Sequence, residues 1–184
     1  MFRWPVRDNV ELRIPEERDA AELFALIELN RTRLQEWLHW SHSTKTREEV
    51  LEFIRAARRD FEKPNALHCL IFCRDRIAGV CSLMIKSELT RTAEIGYWIG
   101  KEWEGQGLVT DTCRALVSYA FDSLDLNRVQ IRCAVGNTRS AAIPGRLGFH
   151  YEGRLRQTIR CGERLLDEDC YSILRSEWGQ RQVS

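Results

Sequence analysis

The stretch "WIGKEWEGQGLVTDTCRAL", Trp98 to Leu116, sets three glycines (Gly100, Gly105 and Gly107) between a hydrophobic run and a helical pattern. A glycine-rich loop feeding a helix N-terminus offers unpaired amides and the positive end of the helix dipole, and both favour an anion. Two familiar phosphate motifs fail on specific residues. The P-loop ends in Gly-Lys-Ser/Thr, whereas Gly107 is followed by Leu108 and Val109. The dinucleotide fingerprint wants glycine where this chain has Thr110, and an acidic residue closing the next strand, whereas Asp125 precedes that strand. The plain alternative is that Gly105 and Gly107 only let the chain turn.

The flanks decide what the loop connects. "TAEIGYWIG" before it reads as a strand, "VTDTCRALVSYAFDSL" after it as a helix with Ala115, Leu116, Tyr119 and Ala120 on one face, and "RVQIRCAV" as the next strand. This strand-helix-strand unit predicts a right-handed crossover and a parallel strand pair. Ligands in such sheets sit at the carboxyl ends of the parallel strands, which is where the loop lies.

Upstream, "NVELRI" alternates as a first strand that Pro15 stops. "EERDAAELFALIELNRTRLQEWL" carries Ala20, Leu23, Phe24, Ile27 and Leu34 at helical spacing, with a break expected near Asn30. Thr46 and Glu49 form a capping box for a second helix, "REEVLEFIRAARRDFE", closed by Pro64 and Asn65. "ALHCLIFC" and "IAGVCSLMIK" then make a hairpin around "RDR". Downstream, "NTRSAAIPGRLGF" is a short helix running into a turn, and "HYEGRLRQTI" and "LLDEDCYSIL" close the chain as a strand pair. The expectation is a single α/β domain over 1–184 with a mixed six- to seven-stranded sheet and helices on both faces. A helical part (about 17–62) precedes the loop-bearing part (about 92–150).

Composition excludes several classes. Twenty-eight basic and 27 acidic side chains are dispersed to a net +1, so no basic stripe points to nucleic acid. No apolar run approaches the ~20 residues that span a bilayer, and "MFRWPVRDNVEL" lacks the apolar centre of a signal peptide, which predicts a cytoplasmic protein. The seven cysteines are odd in number and sit mostly in apolar runs, the pattern of buried thiols in a reducing compartment. His68, Cys69 and Cys73 lie on a strand without a paired CxxC, so no metal site is expected.

Two separated segments carry a family resemblance. "AEIGYWIGKEWEGQGLVTDTCRALVSYAF" resembles the acetyl-coenzyme A loop of the GNAT acyltransferase superfamily, and "GNTRSAAIPGRLGFHYEG" resembles its second motif, Asn-x-x-Ser followed by Leu-Gly-Phe and Glu-Gly. "LQEWLHW", "LIFCRDRIAGV" and "EIGYWI" look like the RimJ/RimL branch, which acetylates N-termini of ribosomal proteins; the likeness covers about Val10 to Leu174. The loop departs from Gln/Arg-x-x-Gly-x-Gly/Ala at Glu104 and Val109. Backbone amides do most of the phosphate binding, so these changes are tolerable while Gly107 keeps its place, although Glu104 is a poor neighbour for a pyrophosphate unless it points to solvent.

The resemblance implies roles. Acetyl-coenzyme A would pair its pantetheine with backbone near Trp98 and Ile99, and the amides of Gln106, Gly107, Leu108, Val109 and Thr110 would take the pyrophosphate. Asn137 would contact the pantetheine or orient the site, and Ser140 would protonate the leaving thiolate; the plain alternative for both is helix capping. Arg139 and Arg146 are candidates for a terminal phosphate. Glu94, on one strand face with Gly96 and Trp98, falls where several relatives place a general base, against a cross-strand polar pair as the plain alternative. The branch's later glutamate falls on Ile159 here, and Tyr151 and Glu152 compete with Glu94 for the role. Trp37, His39, Trp40 and His42 mark the region shaping the acceptor site, with packing the favoured reading of the tryptophans.

The leading expectation is acetyl transfer from acetyl-coenzyme A to a protein N-terminus, a ribosomal protein among the candidates, by direct attack on the thioester. The alternatives are a small amine such as an antibiotic, polyamine or aminoacyl nucleotide, or a coenzyme A binding module with little turnover. No membrane or direct nucleic-acid partner is expected, and the oligomeric state stays open, a homodimer included.

Overall fold

The computed structural model describes residues 3–63 and 65–181. Pro64, expected to help close the second helix, lies outside them. Eight strands form one sheet in the order β1-β2-β3-β4-β5-β6-β8-β7. They are β1 (Arg3–Arg7), β2 (Val10–Arg13), β3 (Ala66–Cys73), β4 (Arg76–Ser87), β5 (Thr92–Ile99), β6 (Arg128–Ala134), β7 (His150–Cys161) and β8 (Arg164–Leu174). The helices are α1 (Ala20–Gln35), α2 (Arg47–Glu62), α3 (Leu108–Asp122), α4 (Thr138–Leu147) and α5 (Arg175–Arg181).

The sheet has one strand more than expected. "RWPVR" offers only two alternating apolar residues with Pro5 between them, too short a signal to read as a strand, yet β1 pairs antiparallel with β2 at the sheet edge, where a proline is tolerated. A second departure is α1, which runs unbroken through Asn30. Asn30 is buried: its Nδ2 donates to the Leu26 carbonyl at 2.9 Å while its Oδ1 accepts from the Lys101 amide at 2.8 Å. The residue expected to end the helix instead ties it to the glycine loop.

Elsewhere local chemistry explains the elements directly. α2 opens on the Thr46–Glu49 capping box and buries Val50, Ile54 and Ala57 at helical spacing. The hairpin between β3 and β4 turns on Arg74 and Asp75, both at positive φ, as a two-residue turn matched to strand twist requires. The two sheet faces carry separate cores. On one, α3 and α4 pack with Ala93, Ile95, Val129 and Ile131; on the other, α1 and α2 cover Leu70, Phe72 and Val80.

All neighbouring strands are antiparallel except β5 and β6, which are parallel, as the crossover through α3 predicts. Their pairing lasts only from Thr92↔Arg128 to Glu94↔Gln130, although β5 continues to Ile99 and β6 to Ala134. Beyond Glu94 the two strands therefore part, and a cleft opens between them.

Candidate active site

One end of the cleft is the glycine loop. Gly105 and Gly107 sit at φ +74° and +75°, the left-handed region that side chains other than glycine rarely adopt. Gly107 is the N-cap of α3, and no side chain caps the helix. The first helical bond comes from the Asp111 amide to the Gly107 carbonyl, so the amides of Leu108, Val109 and Thr110 precede the ladder. The loop is held at three points. Arg7 donates to the Gln106 carbonyl at 2.7 Å and pairs with Asp111 at 3.2 Å; Asn30 holds Lys101; Arg33 donates to the Ile99 carbonyl at 2.6 Å.

Glu104 does not point to solvent. Its carboxylate lies between two guanidiniums, Arg33 from α1 and Arg139 from the start of α4, with one oxygen on each. Two cations against one anion leave the loop mouth net positive, which answers the charge problem that the sequence raised. Arg33 and Arg7 escaped the sequence reading because they act across 66 to 99 residues of chain. Arg146 is exposed on α4.

The other end is built around Ser140. Asn137 caps α4, its Oδ1 accepting from the Ser140 amide at 3.2 Å. Ser140 Oγ lies 3.2 Å from the Tyr97 hydroxyl and 3.2 Å from Cys133 Sγ, and the Tyr97 hydroxyl donates to the Ser140 carbonyl at 2.9 Å. Tyr97 comes from β5, Cys133 from β6 and Ser140 from α4, so this cluster straddles the parting strands. Burial raises the Tyr97 phenol well above its ordinary value and raises the Cys133 thiol, so both are protonated at neutral pH. Tyr97 and Cys133 were missed because neither belongs to the Asn-x-x-Ser motif; only strand alternation places them on the Ser140 side.

Glu94 lies on the opposite face with Gly96 and Trp98, and its side chain is 12% exposed. It accepts from Gln130 Nε2 at 2.7 Å and from Arg132 Nε at 2.8 Å, the cross-strand polar pair of the alternative reading. Arg132 also reaches Glu168, 6% exposed, at 3.4 Å. Glu152 is engaged by Arg128 and by Ser172 at 2.7 Å, and the half-exposed Tyr151 donates to Asp169 at 3.2 Å. Ile159 lies on β7 and brings no carboxylate.

The wall of this second face comes from the segment after α1. Trp37 and Trp40 are off the helix; Trp40 packs against Trp98 with the rings tilted and their centroids 5.8 Å apart, and Trp37 lies against Gly136, where an added Cβ would meet its ring at 3.5 Å. His42 Nε2 is 3.0 Å from the Gln35 carbonyl, while His39 is exposed. The turn between β7 and β8 reaches the same segment, Arg164 donating to the Glu36 carbonyl at 2.8 Å. The α1–α2 connection and the β7–β8 hairpin thus meet beside the sheet face that carries Glu94, Gly96, Arg132 and Glu168. Among the described residues, no His, Cys, Asp and Glu side chains converge as a metal site would need, and no helix is long and apolar enough to cross a membrane.

A cleft between parting parallel strands, with free helix amides at one end and a hydroxyl-thiol cluster at the other, defines an acyltransferase of a particular architecture. The family model for the acetyltransferase (GNAT) domain matches residues 9–150, and the chain belongs to that family. Among its relatives, YdaF of Bacillus subtilis (strain 168) is 38% identical over 179 residues, covering 97% of this chain and 98% of YdaF. The ribosomal-protein-serine acetyltransferase of Escherichia coli (strain K12) is 30% identical over 167 residues, 91% of this chain and 93% of that one. The solved structure of RimL, a ribosomal L7/L12 alpha-N-protein acetyltransferase in complex with coenzyme A, aligns with a TM-score of 0.88 at 29% identity, covering 94% and 98% of the two chains.

Proposed function

We propose that this protein transfers acetyl from acetyl-coenzyme A to the N-terminal α-amine of a protein, with a ribosomal protein as the acceptor class. The carrying observation is the cleft itself, open from the uncapped amides of α3 to Ser140. Coenzyme A supplies a thioester-activated acetyl group and an anionic pyrophosphate. The amides from Gln106 to Thr110, with the helix dipole behind them, suit the pyrophosphate. The β6-facing edge of β5 from Ile95 to Ile99 is not paired with β6, so backbone around Trp98 and Ile99 can pair with the pantetheine amides as a further strand would.

The acceptor enters on the sheet face that carries Glu94 and Gly96, opposite Ser140. An α-amine has a pKa of about 8, against about 10.4 for lysine, so a useful fraction is neutral without a strong base. Glu94, shared between Gln130 and Arg132, serves as a fixed negative pole that draws and orients the ammonium. When the amine attacks, the C–S bond breaks and the thiolate needs a proton. Ser140 stands for that role, with Tyr97 and Cys133 holding its hydroxyl, and Asn137 fixing the first turn of α4 behind it. The family relation and the E. coli and RimL relatives named above support the protein acceptor; seven buried free thiols suit a reducing compartment.

Thiol release from acetyl-coenzyme A tests the reading, with peptides bearing free N-termini, the same peptides blocked at the N-terminus, and a panel of small amines. Release that requires the free peptide N-terminus supports it. Release with small amines alone replaces the acceptor, and binding without release removes the enzymatic reading.

A further inference from the structure

The face that carries Glu94 and Gly96 continues across β4 and β3 as a line of polar side chains, unusual beneath a helix. Gly96 of β5 pairs in register with Ser82 of β4, and Ser82 pairs with His68 of β3. His68 Nδ1 lies 2.7 Å from Ser82 Oγ, and His68 Nε2 lies 3.6 Å from Asp60 Oδ2 on α2. The neighbouring positions on that face are apolar: Leu70 and Phe72 on β3 and Val80 on β4 are buried under α1 and α2. The hydrogen bond between His68 and Ser82 offsets the cost of placing polar groups among them, and it joins the two into a continuous donor-acceptor line.

Gly96 supplies the connection to the cleft. It is the second residue beyond the last β5–β6 pair, at the level where the strands part, and an added Cβ there would meet only the Met84 Cε, at 3.6 Å. Ser82 is the cross-strand neighbour of Gly96, and such partners across antiparallel strands are about 5 Å apart at Cα, within reach of one bridging water. At its far end the line reaches solvent through Asp60, whose side chain is 40% exposed.

We infer that Gly96, Ser82, His68 and Asp60 form an exit path for the proton that the acceptor amine loses during acetyl transfer; this rests on the N-acetyltransferase reading above. The acceptor nitrogen, held over Gly96, gives its proton to Ser82 Oγ directly or through one water. The Ser82 proton passes to His68 Nδ1, and the proton on Nε2 leaves toward Asp60 and solvent, so no charge stays inside. The arrangement requires neutral imidazole with Nδ1 free to accept. Burial holds His68 below its ordinary value, with Asp60 pulling the other way. Asp60 faces the ring from α2, Ser82 from β4, and Phe53 of α2 presents an edge at 5.8 Å. His68 and Ser82 act at a distance from the thioester and leave its proton donor, Ser140, untouched.

The test compares kcat/KM against pH for the wild type, His68→Gln, Ser82→Ala and the double variant, with thermal melting to confirm folding. Each single variant is expected to lose about tenfold in kcat near pH 6.5, below the hundredfold or more of a direct general base because solvent offers a slower route for the proton, with KM for acetyl-coenzyme A unchanged. The loss should shrink toward pH 9, where the free amine and hydroxide no longer need the path. The double variant should lose no more than the worse single one. A loss equal at all pH values, additive losses, or no loss overturns the path. A wild type that acetylates a small amine and no peptide removes the protein acceptor while the path is tested on that amine; a wild type that acetylates no amine overturns both.

Discussion

Three helix N-termini in this protein are finished in different ways. α2 closes on itself: the Glu49 amide donates to Thr46 Oγ1 at 3.2 Å, and the Thr46 amide donates to the Glu49 carboxylate at 2.9 Å. α4 does the same with one residue, Asn137 accepting from Ser140. α3 does neither; it starts from Gly107, which has no side chain to offer. The comparison teaches where a ligand is wanted. A free helix end costs stability in the unliganded protein, and among these three it is left free where the β5–β6 cleft begins.

The largest effect should come from breaking the α3 end. Gly107→Val places a β-branched residue at φ +75°, a conformation that costs an ordinary residue roughly 1–2 kcal/mol and a β-branched one more. The nearest side-chain atom, Asp111 Oδ2, is 3.7 Å from the added Cβ, so the penalty is backbone strain that redirects the amides. Acetyl-coenzyme A affinity by calorimetry should fall about tenfold or more, since 1.4 kcal/mol is a factor of ten. Wild-type affinity would count directly against the loop as the cofactor site.

Next come the capped ends, which separate structure from function. Asn137→Ala and Thr46→Ala should each lose about 1 kcal/mol of stability in urea unfolding. Asn137→Ala should also lower turnover, because its cap fixes Ser140 against Tyr97 and Cys133. Thr46→Ala should leave turnover at the wild-type level. Equal turnover in the two variants would break the comparison. Ser140→Ala sharpens the point at the reacting end: kcat should fall about tenfold, below the hundredfold or more of a full general acid because a thiolate is a good leaving group, with little change in cofactor affinity.

How much of this was legible in the sequence follows from range. The α2 cap, the Arg74-Asp75 turn and the Asn137-to-Ser140 spacing are local, and each was readable because the partners lie within a few residues. The parallel pair was readable because the strand-helix-strand order admits few topologies. Asn30 misled because its side chain suits a helix end, and its actual partner is the Lys101 amide, 71 residues on. β1 was missed because its alternation spans only Trp4 and Val6 with Pro5 between them, and a proline speaks against a strand except at an edge. Glu94 was equally readable as a base or as a paired carboxylate, since Arg132 reaches it only once β5 and β6 lie side by side.

The smallest expected effect concerns the residue that the sequence made most puzzling. Glu104 joins α1, the loop and α4 through Arg33 and Arg139, of which Arg139 is 75% exposed. Its carboxylate offsets part of both positive charges that an incoming pyrophosphate would otherwise meet. Glu104→Gln keeps the shape and releases that charge. Cofactor affinity should rise about two- to fivefold at low salt, the range of a single charge near a helix N-terminus, and the gain should fade as salt screens it. Melting temperature should drop slightly, because an exposed or half-exposed ion pair contributes at most about 1 kcal/mol. The opposite sign, weaker binding with an unchanged melting temperature, would mean that Glu104 works by holding Arg33 and Arg139 in place for the phosphate. The uncapped helix end would then depend on two positioned side chains as well as on its amides.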